Sequence, residues 1–442
     1  MKIKKKQYFW IILAIFIVII FILNSHHNNQ QGIYYGLFRP LADNILHGRG
    51  YSLVQFGNDK LFYPLWGYTL FVVLDLIFWG SNNFLLIFQA ILCLIGIIYF
   101  YKIFEFEPKY IHIPLLLPFI ALISVKWPDA IVAILLTIYV FCNYKYFKTK
   151  RISDLIITGL VLGLIVNFRS EYLYLPILQL IFTVFPFFKN YRKSSLICSI
   201  IIFITALICM LPWAYRSYTN TGEWRFSATN GGMVLYISLG QLSNNPWNVS
   251  PLDKTAIDFA KTRGFNYPFS PAADRVLQEE FVKQVKRYPG AYIKKVGFNL
   301  LKSITGGVYT GEYSNLFINA DKRIIIDDSI SRLNGAMKKI NFIASLPYYN
   351  SIPMLIEKII QGIYIPIFLI SIITFFIFCF LKGNKELYLL KGILLSIILY
   401  KILTISLIQY EYRHMNSIYI FIIGISIIYF NQYIFKKNNR IL

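Results

Sequence analysis

The chain has 442 residues, of which 57% are hydrophobic, 18% aromatic and only 15% charged. A soluble domain carries about 25% charged residues, so this composition excludes a soluble enzyme, a disordered protein and a secreted disulfide scaffold. Lys and Arg outnumber Asp and Glu by 44 to 21, but the basic residues stand beside apolar segments. Positive-inside topology and anionic lipid headgroups explain that placement better than nucleic acid does. The sequence is that of an integral membrane protein.

The first segment predicts a membrane span that stays attached. The basic stretch Met1–Lys6 precedes an apolar run over residues 8–23, which places the N-terminus in the cytoplasm. A cleaved signal peptide is the alternative, but Asn24-Ser25-His26-His27 offers no small-x-small cleavage site. Residues 24–60 then form the first outer loop, in which the stretch around Asp43 predicts a short interfacial helix.

Apolar segments and basic clusters alternate along the rest of the chain. The apolar segments cover residues 61–79, 84–104, 111–124, 129–147, 155–168, 172–188, 196–213, 360–381, 387–408 and 417–435. Basic clusters after residues 147, 188, 381 and 435 mark cytoplasmic loops. All of these basic clusters can lie in the cytoplasm together only if one segment between 61 and 124 does not cross the membrane. The short segment 111–124, with two prolines, is the weakest. We therefore expect ten crossings, with both termini cytoplasmic and residues 150 and 240 on opposite sides.

The chain divides into three regions. Residues 1–213 form an N-terminal transmembrane module, 214–350 an extracytoplasmic domain and 351–442 the C-terminal transmembrane helices. In the middle region, apolar residues recur at helical spacing from Leu277 to Tyr288, and a second amphipathic helix from Tyr292 to Ile304 is expected to lie along the membrane surface. The predicted fold class is an all-α integral membrane bundle of about 10–12 helices with one extracytoplasmic loop domain.

The cysteines and histidines predict no metal site. All five cysteines lie in apolar runs without metal-ligand spacing and are interpreted as packing residues. The histidines at 26, 27, 47 and 414 are interpreted as surface or hydrogen-bonding residues. The sequence therefore names no cofactor, and the need for a metal stays open.

Charged residues collect where spans meet the outer face. Asp129 begins one span, Arg169 and Glu171 separate two others, Arg216 closes the span before the large loop, and Arg413 stands before the last span. Charges at membrane depth are costly and usually functional. One interpretation is a set of interfacial anchors. The other is an outward-facing cleft in which arginines bind an anionic group and a carboxylate performs acid–base chemistry.

The order of several motifs resembles the GT-C superfamily of membrane glycosyltransferases, in the branch of protein O-mannosyltransferases and the lipid A aminoarabinose transferase. The motifs share an outer-face position, and they are Ala42-Asp43 to Gly50-Tyr51, Tyr63-Pro64 to Gly67-Tyr68, Trp127-Pro128-Asp129-Ala130, Gly159 to Gly163 with Arg169-Ser170-Glu171, Pro212-Trp213-Ala214-Tyr215-Arg216 with Thr229-Asn230-Gly231-Gly232, and Glu411-Tyr412-Arg413. Each motif is weak alone, but their order spans residues 1–430. The resemblance implies a GT-C fold.

The resemblance also implies an activity: transfer of a sugar from a polyprenyl phosphate to an extracytoplasmic glycan, lipid or protein, by a single displacement with inversion. It implies a multi-pass protein of a bacterial cytoplasmic membrane whose active site faces outward. The expected partners are the lipid-linked donor, the acceptor and membrane lipids, without nucleic acid. The sugar and the acceptor stay open.

The candidate site residues follow from the charges and the resemblance together. As catalytic residues we expect Asp43 as the base and Asp129 as a positioning acid. Substrate-binding residues are expected at the outer face, and they are Arg413, Arg216, Arg169, Tyr412, Glu171 and Arg49. One departure from the family concerns the base, because relatives place an acid where this chain has Tyr34. The catalytic acid is therefore shifted to Asp43, supplied by Asp129 or another acid, or missing.

Two alternatives to the glycosyltransferase hypothesis stay open. A transporter or flippase of lipid-linked saccharides would use the same arginines, although such proteins often contain internal repeats, and none is visible here. A catalytically inactive GT-C homologue would explain Tyr34.

Overall fold

The computed structural model describes residues 2–25, 34–51, 65–79, 83–182, 192–242, 244–265, 269–311, 336–381, 385–409 and 413–431. Over these ranges the chain is helical and contains no β-strand, which confirms the predicted all-α class. The α-helices are α1 Lys2–Ser25, α2 Arg39–Leu46, α3 Trp66–Trp79, α4 Asn83–Phe104, α5 His112–Leu115, α6 Leu117–Ile123, α7 Pro128–Thr149, α8 Ile152–Phe168, α9 Leu175–Phe182, α10 Arg192–Thr221, α11 Gly231–Ser238, α12 Asp253–Thr262, α13 Pro271–Arg287, α14 Pro289–Thr305, α15 Ala336–Ala344, α16 Tyr348–Phe380, α17 Lys385–Leu407 and α18 Arg413–Tyr429.

Six of the described helices are long and apolar enough to cross a membrane, which indicates a membrane-embedded protein. They are α1, α4, α7, α10, α16 and α17. Three shorter apolar helices, α3, α8 and α18, pack with them. Many apolar side chains on α1, α10 and α16 remain exposed on the outside of the bundle, as expected for helices that face lipid rather than water.

The helices define two ends of the bundle. At one, Lys148 Nζ lies 2.7 Å from Glu105 Oε1, and the ring of Phe9 contacts that of Tyr101. We name it the basic end, after the run Lys148–Arg151. At the other, Arg169 pairs with Asp129, and we name it the cavity end. Helices α4 and α7 both run from the cavity end to the basic end, so the chain between them must return through the depth of the bundle.

That return is made by the segment 111–124, contrary to our expectation that this segment does not cross. It leaves the basic end at His112, which contacts Tyr101, and reaches the cavity end at Ile123 and Val125, whose carbonyls accept from Gln89 at 2.7 and 2.9 Å. Pro114 and Pro118 divide it into α5 and α6, because proline lacks the N–H of a continuous helix. Because this segment is short and contains two prolines, the sequence had indicated it as the one that does not cross.

Helix α3 is the segment that stays at one end. Its first residue, Trp66, donates a hydrogen bond from its indole N–H to the side-chain oxygen of Asn167 at the end of α8. Near its C-terminus, the Asp75 carboxylate accepts the backbone N–H of Leu85, at the start of α4, at 2.8 Å. Both contacts lie at the cavity end, so α3 packs across that end of the bundle.

Two glycines bring α8 against α10. A Cβ at Gly159 would lie 2.5 Å from the Cβ of Thr205, and one at Gly163 would collide with Cys209. Only a residue without a side chain permits this approach. Since Arg169 follows directly after α8, the close packing fixes the depth at which that arginine leaves the bundle.

The helices α11 to α14 cover the cavity end with a small core of their own. Leu277 and Phe281 of α13 are buried there together with Met233 and Ile237 of α11. This confirms the amphipathic helix expected from Leu277 to Tyr288. The predicted second helix is present as α14, and it packs along α17 and α16.

Helix α14 is joined to the C-terminal end of α17 by its own polar side chains. The buried Lys295 ammonium donates to the carbonyl of Leu407 at 2.8 Å and to that of Ile408, and the Tyr292 hydroxyl also donates to Leu407. The last carbonyls of a helix lack intrahelical donors. Lys295 therefore completes the end of α17 and fixes it against the extramembrane helices. Burial lowers the pKa of Lys295 to about 7.

We expect Lys295→Met to destabilise the protein by about 1–3 kcal/mol, because the Ile408 carbonyl loses its Lys295 donor and the Leu407 carbonyl loses one of its two donors, while the volume of the side chain is kept. The measurement is thermal unfolding of the purified protein in detergent. The matched control is Lys294→Met, since Lys294 is exposed on the same helix. Equal melting temperatures for the two variants would contradict the capping role.

The two ends of the bundle are also testable by labelling. Ser153→Cys at the basic end and Ser250→Cys beyond the cavity end replace exposed residues with near-isosteres. We expect a membrane-impermeant maleimide to label position 250 from outside the intact cell and position 153 only after permeabilisation, because basic loops stay cytoplasmic. The parent chain gives the background from the five native cysteines. Labelling of both positions from the same side would contradict the topology.

Candidate functional site

A cavity of about 550 Å³ lies at the cavity end, between the bundle and the helices α11 to α13. One wall comes from the bundle and is charged. Its polar residues are Asp129, Arg169, Ser170, Glu171, Lys401, Thr404, Gln409 and His414. The facing wall comes from helices α11 to α13 and the segment that precedes α11. Its polar residues are Ser227, Asn230, Asp253 and Gln278. Aromatic and aliphatic side chains such as Phe38, Trp127 and Phe168 fill the rest of the lining.

Asp129 and Arg169 form the first charged pair. Pro128 occupies the first position of α7, which suits its fixed φ, and Asp129 follows it in the first turn. The Asp129 side chain is only 4% exposed, and its Oδ2 accepts from Nη2 of Arg169. The same nitrogen lies 3.4 Å from Nε2 of His414 at the start of α18. The sequence predicted Asp129 and Arg169 at one site, and the structure brings them together.

Glu171 and Lys401 form the second charged pair. Lys401 Nζ donates to Glu171 Oε1 at 2.6 Å, and the lysine side chain is 2% exposed. Tyr400, its neighbour on α17, donates to the backbone carbonyl of Glu171. Although burial alone raises the pKa of Glu171, the charges of Lys401 and Arg169 outweigh it and lower that pKa to about 2. Glu171 is therefore a charged partner of Lys401 and a poor base.

Asp274 of α13 positions the facing wall of the cavity. Its Oδ1 accepts the backbone N–H of Gly232 at 2.6 Å, and its Oδ2 accepts from Arg225 at 3.0 Å. A Cβ at Gly232 would collide with the Asp274 carbonyl, so this contact requires glycine at position 232. Thr229 donates to the Phe269 carbonyl at 2.6 Å. These bonds hold the Thr229-Asn230-Gly231-Gly232 stretch against the cavity.

Three of the predicted site residues lie outside the described lining. Asp43 is half exposed and pairs with Arg49, whose Nη2 lies 2.7 Å from its Oδ2. Arg216 donates to the backbone carbonyl of Tyr51 at 3.1 Å and stacks over the rings of Tyr51 and Trp213. The structure therefore separates these three residues from the Asp129–Arg169 pair.

The remaining predictions concern the segment before α18 and the first loop. Arg413 is the first residue of α18, directly before His414 of the cavity wall. The Arg413 side chain and all of Tyr412 lie outside the described residues. Tyr34 begins a π-helical turn, Tyr34–Phe38, that leads into α2.

The sequence analysis missed several residues of the lining. Lys401 carried a usable signal, since it is one of two lysines inside the apolar segment 387–408, where an ionisable residue is functional by default. His414 was interpreted as a surface or hydrogen-bonding residue, and its place beside Arg169 depends on contacts between distant helices. Asp253 and Gln278 are ordinary polar residues of a polar region, and no local pattern distinguishes them.

The arrangement can bind a polar ligand between two walls, one with paired charges and one with uncharged and acidic groups. Within the described ranges, no three His, Cys, Asp or Glu side chains come together as metal ligands. Comparison with protein families finds no family model that matches the chain, and comparisons with curated proteins and with solved structures find no match either.

Proposed function

We propose that the protein transfers a sugar from a polyprenyl-phosphate-linked donor to an acceptor, in the cavity between the bundle and the extramembrane helices. The cavity end faces the outside of the membrane, and both termini lie in the cytoplasm. The run Lys148–Arg151 at the opposite end supports this orientation.

The observation that carries the proposal is the convergence of three motif stretches on one cavity. Trp127-Pro128-Asp129 lies at the start of α7, Arg169-Ser170-Glu171 follows α8, and Asn230-Gly231 lies at the start of α11. They are separated by about 40 to 100 residues of sequence, yet all three line the same space. The same stretches carry the resemblance to membrane glycosyltransferases.

The donor requires cations near its phosphate. In the reaction, an acceptor oxygen forms a bond to the anomeric carbon, the bond from that carbon to the phosphate oxygen breaks, and the phosphate departs with the electron pair. Arg169 is pre-oriented by Asp129 and only 26% exposed. It stabilises the departing oxygens, as positioned guanidinium groups do. Arg413 supplies a second cation from the first turn of α18.

The acceptor requires a base for its hydroxyl proton. Asp129 is the carboxylate best placed for this, because it lines the cavity and is nearly buried. The donor phosphate competes with Asp129 for Arg169, and the released carboxylate then accepts the proton. Glu171 stays ionised beside Lys401, and Asp43 lies outside the described lining. We therefore assign the base to Asp129 in place of Asp43.

The proposal is tested with the purified protein in vesicles that contain a radiolabelled polyprenyl-phosphate sugar. We expect the label to leave the lipid phosphate and to appear on an added membrane extract. A protein that moves the intact donor between leaflets without releasing its sugar would support the transporter instead. A protein that neither binds nor consumes the donor would contradict both functions.

Arg413→Lys should lower transfer by about 10- to 100-fold, because a lysine cannot reproduce a bidentate contact with phosphate. Arg216→Lys is the control. Its guanidinium contacts the Tyr51 carbonyl outside the described cavity lining, so we expect transfer close to that of the parent. Donor binding is measured in parallel by flotation with the labelled lipid. Unchanged donor affinity and transfer in Arg413→Lys would contradict the assignment.

A further inference from the structure

The formal charges of the described lining residues sum to a negative value, opposite in sign to the charge of the whole chain. The whole protein carries a formal charge of +23. The described lining carries three carboxylates, Asp129, Glu171 and Asp253, against the two permanent cations Arg169 and Lys401. Two of these carboxylates are neutralised by direct ion pairs with the two cations. The surplus negative charge is that of Asp253.

Asp253 belongs to the wall that comes from the extramembrane helices. It is the first residue of α12, its side chain is exposed to the cavity, and it forms no ion pair with another described residue. Partial burial at the wall raises the pKa of its carboxyl above the ordinary value. An acid in the first turn of a helix is stabilised by the helix dipole, so the ordinary explanation of Asp253 is a structural one.

Its neighbours on that wall indicate more than a structural role. Asn230 precedes α11 and makes no capping hydrogen bond with its side chain. Gln278 reaches the cavity from α13 while its amide donates to Asp274 at 2.9 Å. Amide groups beside a carboxylate offer donors and acceptors to hydroxyl and amino groups, and no described cation stands on this wall to attract an anion.

We infer that this wall is the acceptor subsite, and that Asp253 selects acceptors by charge, admitting neutral or amino-bearing polyhydroxyl groups and repelling anionic ones. The inference rests on the proposed function, because it divides the cavity between a donor phosphate on the charged wall and an acceptor on the opposite wall. This division accounts for the paired charges on the donor wall and the single carboxylate on the acceptor wall. A carboxylate near the donor phosphate would repel it, and the acceptor wall is the place where a surplus carboxylate does least harm.

The test uses three soluble probes with the same ring and different charge: methyl glucoside, glucosamine and glucose 6-phosphate. Their binding to the full-length protein is measured in nanodiscs that contain excess polyprenyl phosphate, which occupies the Arg169 wall and leaves the opposite wall to the probes. Saturation-transfer NMR measures this binding and requires no transfer activity. We expect the parent to bind glucosamine about fivefold more tightly than methyl glucoside, the effect of one partly exposed ion pair, and glucose 6-phosphate most weakly. In Asp253→Asn the first ratio should fall to about one. Asp258→Asn, on the exposed side of α12, should keep the order of the parent.

A structural role alone would change the melting temperature and leave the ratio of the three probes as it is in the parent. That result, or tight binding of glucose 6-phosphate in the parent, would overturn the inference. Asp253→Glu should restore the parental order if the charge is responsible. If the parent transfers no sugar from a polyprenyl phosphate yet shows the charge order, the proposed function fails and the charge-selective subsite stands.

Discussion

Asp129→Asn is expected to lower the rate of sugar transfer by about 10²- to 10⁴-fold, the usual contribution of a positioned general base. The substitution keeps the shape of the side chain and removes the site that accepts the proton. Asp129 is 4% exposed and held by Arg169 at the cavity, so water does not replace it readily. The measurement is the initial rate of transfer from labelled donor at saturating donor concentration, with donor affinity determined separately.

Asp43→Asn is the matched control for this variant. Asp43 was the first choice of the sequence analysis, yet it is half exposed, pairs with Arg49 and lies outside the described cavity lining. We expect Asp43→Asn to transfer sugar at nearly the parental rate. A large loss in Asp43→Asn together with normal transfer in Asp129→Asn would reverse the assignment. Normal transfer in both would exclude both acids as the base.

Lys401→Met is expected to be the most destabilising of the substitutions considered, at about 3–5 kcal/mol, because it leaves Glu171 without its counterion. The Lys401 side chain is 2% exposed and that of Glu171 28%, so water screens the orphaned carboxylate incompletely. The double variant Glu171→Gln/Lys401→Met removes both charges and should recover most of the lost stability. Unfolding in a denaturing detergent, followed by tryptophan fluorescence, measures these two variants and Glu171→Gln against the parent.

The pair also predicts how stability responds to acid. Because the folded pKa of Glu171 lies at about 2, below the ordinary value of 4.5, its ionisation stabilises the fold above pH 4.5. That contribution is lost as the pH falls from 4.5 towards 2. Glu171→Gln should flatten the stability profile in that window. An unchanged acid profile in Glu171→Gln, or a double variant as unstable as Lys401→Met, would contradict the pairing.

Much of the fold was accessible from the sequence because membrane spans are local features. A run of apolar residues of sufficient length indicates a helix wherever it occurs, since a backbone in lipid must satisfy its own hydrogen bonds. Helices α4, α7 and α17 therefore begin and end within a few residues of the predicted segments. The same rule failed for the segment 111–124. Helices α5 and α6 traverse the bundle surrounded by other helices, and a segment in that position does not need the length of a single lipid-facing span.

The site was only partly accessible, because its residues meet across long sequence distances. Asp129, Arg169 and Glu171 could be found, since each is a charge at the end of an apolar segment. By itself the sequence determined the membrane class, the helical fold and these three charges, all of which follow from local hydrophobicity. Only the tertiary structure decided that Lys401 pairs with Glu171 and that Asp253 of α12 lines the same cavity as this pair. Such partnerships depend on which helices pack together, and packing is a property of the whole chain.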